Sequence, residues 1–233
     1  MSVLALVIKS LGVGLKIYGV VGAGGHGRES IPLVRHALAS QIDASVAALY
    51  FVVEGCVSET SVNGYKIIAV EQFCALDGEK VFNTAIGNSA VRERIAEYLI
   101  VRGCAPFPII AANAVIMDGN EIGEGALLSP FTMITSNVRI GKYFHANMYS
   151  YVAHDCVIGN FVTLAPGVKC NGNVVIGDHA YIGAGAVLRQ GTAERPLIIG
   201  RGAVVGMGAV VTKNVAPHAT VVGNPARPMG ARR

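Results

Sequence analysis

The second half of the chain carries an aliphatic residue at every sixth position. Steps of six from residue 110 to residue 188 give fourteen positions, of which twelve are Ile, Leu or Val. The other two are small and apolar, Ala146 and Cys170. After an interruption at QGTAERP, the register resumes with Ile199, Val205 and Val211. A hexapeptide period of this length predicts a parallel β-helix, with three hexads per coil and the aliphatic side chains pointing inward.

The first half has a different pattern, in which apolar runs alternate with helical stretches. Three of these runs predict buried strands: LKIYGVV, SVAALYFVV and KVFNTAIG. We expect one helix from about His26 to Ser40, and a short turn followed by a helix in NGYKIIAVEQFCAL. In SAVRERIAEYLIV, Val91, Ile95 and Leu99 recur at a spacing of four, which predicts an amphipathic helix. This alternation predicts a small doubly wound parallel sheet.

The change of period predicts the domain organisation. We expect an irregular extension at 1–14, a Rossmann-like α/β domain at 15–107, and a β-helix with a C-terminal tail at 108–233. Only 15% of the residues are charged and 6% are aromatic, whereas 29 are glycine. This composition fits stacked β repeats with buried subunit surfaces, and it differs from that of a disordered chain, which is rich in charge. No apolar run approaches the ~18 residues of a transmembrane helix.

Charge and cysteine content narrow the function classes. The formal net charge is +4, and the basic residues are scattered along the chain. A nucleic-acid-binding protein would concentrate them in a stripe or a run. The five cysteines are widely spaced and form no C-x-x-C pair. They therefore predict neither a disulfide framework nor a zinc site, and they favour a reducing cytoplasm.

The hexad array from about 110 to 227, which ends in VVGNPAR, resembles the hexapeptide acyltransferases, whose β-helix is left-handed. With the GAGGHG loop of the first domain, the whole chain resembles sugar O-acyltransferases of the sialic-acid O-acetyltransferase type. Within them it is most similar to bacterial N-acetyltransferases of nucleotide-linked 4-amino-4,6-dideoxyhexoses. The resemblance implies acetyl-CoA as co-substrate, no metal, and a cytoplasmic homotrimer with active sites between subunits. It also implies a role in lipopolysaccharide O-antigen biosynthesis.

HDCVIG, which begins at His154, matches the catalytic motif of that family. A histidine can act as a general base near neutral pH. The resemblance implies that Asp155 holds the imidazole in the useful tautomer. Gly172 follows His154 by one coil of eighteen residues, so the period places the two in neighbouring coils, about 4.8 Å apart. The resemblance implies that the N–H of Gly172 donates to the thioester carbonyl.

The resemblance implies further residues on both sides of the transferred acetyl group. Three would contact acetyl-CoA: Asn171, Gly223 and Pro225. On the sugar side it implies Asn147, and also Thr163, nine residues after His154, where many members of the family have a second histidine. Threonine can donate a hydrogen bond but cannot carry a proton at neutral pH, which argues against a two-histidine mechanism.

A G-x-G-x-x-G pattern, made by Gly22, Gly24 and Gly27, follows the first predicted strand and precedes the first predicted helix. This context places N–H groups and a helix N-terminus where a phosphate could bind. As a signal for NAD it lacks a well-placed acidic residue for the ribose. The resemblance implies instead that the loop binds the diphosphate of a nucleotide sugar, through Gly24, Gly25, His26 and Gly27.

The base of the nucleotide is less well defined. In the family, two acidic residues after the second strand contact it, and the corresponding positions here are Val53 and Glu54. One acid is therefore missing, which leaves guanine or another base open beside uracil. The IGN triplet, which contains Gly87 and Asn88, resembles the turn on the sugar side. The nearby Arg92 also resembles a residue of that turn. The alternative is that Arg92 is a plain charge on the surface of the helix.

The sequence therefore predicts acetyl transfer to the 4-amino group of a nucleotide-linked 4-amino-4,6-dideoxyhexose, GDP-perosamine-like or UDP-linked. O-acetylation of sialic acid or another sugar hydroxyl would use the same base and stays open. A noncatalytic nucleotide-sensing trimer is another alternative. So is a γ-type carbonic anhydrase, although His154 and His179 have no third histidine at the required spacing. Cys156 falls at an inward position, so we expect no acyl-cysteine.

Overall fold

The computed structural model describes residues 16–39, 48–57 and 59–230. The predicted extension at 1–14 and the predicted helix end at Ser40 lie outside the described residues. None of the helices in the described ranges combines the length and the apolar character that crossing a bilayer requires.

The chain divides into two compact units. The first contains Met1–Gly87 and Arg94–Phe107, and the second contains Asn88–Glu93 and Pro108–Arg233. The second unit therefore includes a short segment, Asn88–Glu93, that the sequence pattern assigned to the first domain. The other division between the two units falls between residues 107 and 108.

The first unit contains one six-stranded sheet. Its strands are β1 (Lys16–Val21), β2 (Ala48–Val53), β3 (Ser61–Val62), β4 (Tyr65–Ala69), β5 (Glu79–Thr84) and β6 (Ala105–Pro106). They lie in the order β3-β4-β2-β1-β5-β6. All neighbours pair in parallel except β3 and β4, which form an antiparallel hairpin across Asn63 and Gly64. Both turn residues have a left-handed φ, 50° and 81°. The predicted parallel sheet is therefore present.

Among the residues that the structure describes, three helices accompany this sheet in the chain: α1 (Gly25–Ala39), α2 (Val70–Ala75) and α3 (Ser89–Ile100). The prediction for NGYKIIAVEQFCAL was partly wrong, because its YKIIA segment forms β4 and only the residues after it form α2. The β-branched Ile67 and Ile68 pair with Phe51 and Val52 in the sheet, where β-branched side chains fit better than in a helix. The amphipathic helix α3 is present as predicted, with Leu99 fully buried.

The second unit is a coil of short strands that stack in three parallel sheets. The first sheet holds β7 (Ile109–Ile110), β10 (Leu127–Leu128), β13 (His145–Ala146), β16 (Thr163–Leu164), β19 (Tyr181–Ile182), β22 (Val204–Val205), β24 (Thr220–Val222) and the antiparallel β25 (Arg227–Pro228). The second holds β8 (Val115–Ile116), β11 (Met133–Ile134), β14 (Tyr151–Val152), β17 (Lys169–Cys170), β20 (Val187–Leu188) and β23 (Val210–Val211). The third holds β9 (Glu121–Ile122), β12 (Arg139–Ile140), β15 (Val157–Ile158), β18 (Val174–Ile176) and β21 (Leu197–Ile199).

The residues of the six-residue register form the interior of this coil. Val152, Leu164 and Ile182, for example, are fully buried in one continuous apolar cluster. Ile110 and Ile116 are exceptions to the prediction, because both are exposed. They lie in the first coil, which has no preceding coil to close its interior.

From residue 119 to residue 185, every sixth residue has a left-handed φ and lies at a corner of the coil. Each coil has three corners, so equivalent corner residues are eighteen residues apart. We name the three corners by these residues. The aromatic corner has Gly125, Tyr143, Phe161 and His179, and the exposed corner has Phe131, Tyr149, Gly167 and Gly185. The polar corner has Gly119, Asn137, Asp155 and Asn173. Asn and Asp tolerate this conformation better than other residues with a Cβ. At the aromatic corner the rings stack, with centroids 5.2 and 5.3 Å apart.

Candidate active site

His154 and Asp155 occupy the polar corner, directly after β14. The Nδ1 atom of His154 lies 2.7 Å from Oδ2 of Asp155, and both side chains are about half exposed. An ionised carboxylate only accepts hydrogen bonds, so this contact holds the proton on Nδ1. Nε2 has no hydrogen-bond partner among the described residues, and its lone pair is therefore available. The pair has the geometry of a histidine general base.

Gly172 lies directly against this imidazole in the next coil. The N–H of Asn173 donates to the carbonyl of His154 over 3.0 Å. A Cβ atom on Gly172 would lie only 2.6 Å from both Cε1 and Nε2 of His154. The φ of Gly172 is not left-handed, so the glycine is needed for space and not for backbone conformation. The structure thus brings together the two residues that the eighteen-residue spacing paired.

The N–H of Gly172 is an open donor. At the aromatic corner, two of the residues that precede a left-handed position have their N–H capped by a side chain one coil later. Asn160 Oδ1 accepts from Lys142 N–H, and Asp178 Oδ1 accepts from Asn160 N–H, both over 2.8 Å. Gly172 holds the equivalent place at the polar corner, and its N–H has no acceptor within the described ranges. A fixed, unsatisfied N–H beside a base can stabilise an oxyanion.

Asn171 and Cys156 are the chain neighbours of Gly172 and Asp155 at the polar corner. Asn171 accepts from the Tyr151 hydroxyl over 2.8 Å and donates to the carbonyl of Leu188 over 2.7 Å, so its carboxamide is already engaged. Cys156 Sγ lies 3.2 Å from the carbonyl of Asn171. The hydrogen bond from Cys170 lowers the pKa of Cys156, but the thiol is only 1% exposed. A substrate could reach this thiol only if the corner opened.

Thr163 has a partner inside the protein. It is 4% exposed, and its hydroxyl accepts from Nη2 of Arg92 over 3.1 Å. The same nitrogen donates to the carbonyl of Phe161, and Nη1 lies 3.4 Å from Nδ1 of His145. Arg92 is fully buried, and this burial lowers its pKa to about 9. The surface-charge alternative for Arg92 is therefore wrong, and a substrate contact at Thr163 would require Arg92 to move.

The other residues predicted near the transferred acetyl group lie in two places. Asn147 directly follows β13 and is half-buried, and its carboxamide has no partner in the part of the chain that the structure describes. Gly223 and Pro225 follow β24 and are both exposed. Gly223 has a φ of 92° and accepts from the N–H of Val210 over 3.0 Å, which ties the tail to β23.

The glycine loop of the first unit leads from β1 into α1. The carbonyl of Gly24 accepts from Arg28 N–H over 2.9 Å, and a Cβ on Gly24 or Gly25 would meet nothing within 4 Å. A Cβ on Gly27 would overlap the carbonyl oxygen of Gly22, so this glycine lets the helix pack closely on the strand. The loop thus presents the N-terminus of a long helix on an open side, as anion binding requires. His26 Nδ1 lies 3.7 Å from Glu29.

Glu54 follows β2 and forms a two-point ion pair with Arg94, over 2.7 and 2.8 Å. The hydrogen bond from Arg94 lowers the pKa of Glu54, which keeps the carboxylate ionised. Glu54 lines a cavity of about 260 Å³, together with Ala23, Val53, Cys56, Val57, Glu59 and Ile67. The sequence analysis missed Glu59. A second carboxylate therefore lines this cavity, although none stands at position 53.

Gly87 and Asn88 precede α3 and are both exposed. The side chain of Asn88 accepts from the N–H of Val91 over 3.1 Å, so it caps the helix. As for metal binding, no group of three His, Cys, Asp or Glu side chains within 16–39, 48–57 and 59–230 is arranged to hold an ion.

Asn137 is a polar-corner residue that the sequence analysis missed. Asn137 lies one coil before Asp155, and its Nδ2 is 3.5 Å from Oδ1 of Asp155. The signal was present in the sequence, because Asn137 precedes Asp155 by the same eighteen residues that separate His154 from Gly172.

Comparison with known proteins finds relatives that match nearly the whole chain. Residues 18–99 match the PglD N-terminal domain. The chain is 48% identical over 216 residues to GDP-perosamine N-acetyltransferase from Escherichia coli O157:H7, covering 92% of this chain and 97% of that protein. WeeI from Acinetobacter baumannii AYE is 52% identical with a TM-score of 0.87, covering 92% of this chain and 100% of WeeI. The acetyltransferase domain of PglB from Neisseria gonorrhoeae FA1090, solved with acetyl coenzyme A, is 28% identical with a TM-score of 0.79, covering 91% and 98%.

The hexad coil, the imidazole beside an open main-chain donor and the N-terminal α/β unit together define a hexapeptide acetyltransferase with a left-handed β-helix. The chain belongs to the family of sugar N-acetyltransferases that includes the GDP-perosamine enzyme of Escherichia coli O157:H7. The predicted fold class, family and enzyme class are thereby confirmed. Membership of the wider sialic-acid O-acetyltransferase type stays a prediction.

Proposed function

We propose that this protein transfers the acetyl group of acetyl-CoA to the 4-amino group of GDP-perosamine. The observation that carries the proposal is the contact between His154 and Gly172, where an available Nε2 and an open N–H lie side by side. The substrate is supported by the 48% identity to GDP-perosamine N-acetyltransferase over nearly the whole chain. Acetyl-CoA is supported by the complex of the PglB domain.

The cavity beside Glu54 favours guanine over uracil. Guanine presents two adjacent donors, N1–H and the N2 amino group, which match the two oxygens of one carboxylate. Uracil presents only one such donor. Two carboxylates line the cavity: Glu54 already accepts from Arg94 through both oxygens, which leaves Glu59 to accept the two donors of the base. An ionised carboxylate accepts hydrogen bonds and donates none. A UDP-linked 4-amino-4,6-dideoxyhexose is therefore the less favoured substrate.

The reaction follows from the geometry of the polar corner. The sugar amine attacks the thioester carbon, a C–N bond forms, and Nε2 of His154 takes a proton from the amine. Asp155 stabilises the resulting imidazolium through Nδ1–H. The N–H of Gly172 donates to the negatively charged oxygen of the tetrahedral intermediate. The C–S bond then breaks, the CoA thiolate takes the proton from His154, and the products are the amide and free CoA.

We assign the other predicted residues to substrate binding. The loop with Gly24, Gly25, His26 and Gly27 would hold the diphosphate, because it places a helix N-terminus on an open side. Gly87, Asn88 and Asn147 would contact the sugar. Asn171, Gly223 and Pro225 would border acetyl-CoA, with the Asn171 side chain acting through its bonds to Tyr151 and Leu188.

The proposal includes a homotrimer in the cytoplasm that serves O-antigen biosynthesis. Exposed rings support the oligomer, since Phe131 and the 68% exposed Tyr149 stack on the surface of the coil. Apolar surface of this kind is commonly covered by another protein. The five free cysteines are consistent with a reducing compartment.

The test is a thiol-release assay with acetyl-CoA and GDP-perosamine, comparing the wild type with His154→Ala. We expect turnover to fall by roughly 10²–10⁴-fold, with CoA binding by calorimetry nearly unchanged. His36→Ala, an exposed histidine on α1, is the matched control and should keep full activity. Full activity in His154→Ala would remove this residue from the mechanism. UDP-linked 4-amino sugars and sialic acid serve as competing acceptors. A product cleaved by mild hydroxylamine would be an ester and would contradict N-acetylation.

A further inference from the structure

The polar corner extends below the catalytic pair by one coil. Asp155 uses both carboxylate oxygens, because Oδ2 contacts Nδ1 of His154 and Oδ1 contacts Nδ2 of Asn137. The backbone supports this alignment, since the N–H of Asp155 donates to the carbonyl of Ser136 over 3.2 Å. Asn137 therefore lies on the side of Asp155 that faces away from the imidazole.

The hydrogen bond to the Asp155 carboxylate assigns the NH₂ end of the Asn137 carboxamide to the side that faces Asp155. The Oδ1 of Asn137 lies against Gly119, where a Cβ would be only 2.6 Å away. A carboxylate only accepts hydrogen bonds, so the amide N–H is the end of the side chain that can face Asp155. A side chain larger than hydrogen at position 119 would push the carboxamide out of this place.

The coil itself does not require an asparagine at this corner. The left-handed φ of Asn137, 60°, is also adopted by Gly119 at 73°, one coil earlier. The equivalent positions at the aromatic and exposed corners carry stacked rings or glycine instead. A carboxamide that donates to the next coil is thus particular to the corner that holds the imidazole.

Charged residues surround Asp155, and they explain what the hydrogen bond from Asn137 contributes. Asn137, Asp155, Glu121 and Arg139 line one open cavity of about 350 Å³, with Gly119, Cys156 and Val157. Arg139 could draw the half-exposed carboxylate away from the imidazole, and Glu121 would repel it. A neutral donor at Oδ1 holds the carboxylate in place without changing its charge.

We propose that Asn137 is a positioning residue for acetyl transfer: it holds the Asp155 carboxylate in the orientation that keeps the proton of His154 on Nδ1. This inference rests on the proposed function of His154 as the base. Asn137 itself touches neither substrate, and its effect reaches the reaction only through Asp155.

Two variants test the proposal in the thiol-release assay. Asn137→Gly keeps the left-handed backbone and removes the carboxamide, so kcat should fall roughly 10-fold, with the KM for acetyl-CoA unchanged. Asn137→Asp keeps the shape and adds a negative charge behind Asp155. Because that charge favours the protonated imidazole, the pH of half-maximal kcat/KM should rise by roughly 0.5 units or more.

Asn63→Gly is the matched control, since Asn63 has the same residue type and a left-handed φ of 50° in the β3–β4 hairpin. It should leave kcat and the pH profile unchanged. If both Asn137 variants kept the wild-type kcat and pH profile, the proposal would be overturned while the proposed function stood. If the wild type released no CoA with any 4-amino sugar, the proposed function would fail instead. If Asn137→Gly does not fold, Asn137→Asp still decides through kcat at its own pH optimum, because an ionised carboxylate cannot donate to Asp155, whereas the added charge alone moves only the pH profile.

Discussion

Replacing Gly172 by alanine should separate the role of the contact with His154 from the role of the backbone. The new Cβ would lie 2.6 Å from Cε1 and Nε2 of the imidazole. Carbon atoms need about 3.5 Å, so the ring must move by about 1 Å. Displacing a catalytic group by this distance costs about 10²-fold in rate. The backbone should accept alanine, because the φ of Gly172 is not left-handed. We therefore expect kcat to fall about 100-fold with a nearly unchanged melting temperature.

The double variant His154→Ala/Gly172→Ala sharpens this prediction. Once the imidazole is gone, the Cβ at position 172 has no ring to displace. The second substitution should then cost almost nothing beyond His154→Ala alone, both in thiol release and in melting temperature. Such non-additivity is expected of residues in direct contact. Two results would refute the reasoning: wild-type activity in Gly172→Ala, or effects of the two substitutions that simply multiply.

Two further predictions concern stability and ionisation. Arg92→Ala leaves the buried hydroxyl of Thr163 without its donor and should destabilise the protein by roughly 3 kcal/mol or more. An unchanged urea midpoint would contradict the buried contact. Arg94→Gln should raise the pKa of Glu54 towards the ordinary carboxyl value, as measured by NMR titration. Since Arg94 lowers the pKa of Glu54, the stability that this pair contributes is fully present at pH values above the ordinary carboxyl pKa. It is lost as the pH falls through the lowered pKa of Glu54. An unchanged Glu54 pKa in Arg94→Gln would contradict the pairing.

The fold could be predicted from the sequence wherever a period repeats. The hexad register identified the β-helix and 14 of the 27 residues in its buried cluster, because each coil imposes the same inward position on the next. The others include a second series at the same period, with Val138, Phe144 and Val162. The register failed at Ile110 and Ile116, which have the right period but no coil before them. In the first unit, the helix prediction failed in YKIIA, where Ile67 and Ile68 join a sheet whose partners are distant in sequence. Propensity over five residues does not reveal such pairing.

The site could be predicted where spacing equals one coil. His154, Asp155 and Gly172 came from the motif and the eighteen-residue step, and the same step leads to Asn137. Arg92 could not be predicted in this way. It stands on a helix in a run of charged residues, and only its contacts with Phe161 and Thr163 explain its burial.

The interruption of the register at QGTAERP bears directly on the open donor. At the aromatic corner, two such N–H groups are capped by the side chain eighteen residues later, as Asn160 caps Lys142. The residue eighteen after Gly172 is Gln190, at which the hexad pattern breaks. Within the described chain the Gln190 side chain makes no bond to the N–H of Gly172. A regular coil there could carry a capping Asn or Asp and would satisfy the donor. Because Gln190 does not cap it, the N–H of Gly172 is available beside His154, where it could donate to an oxyanion.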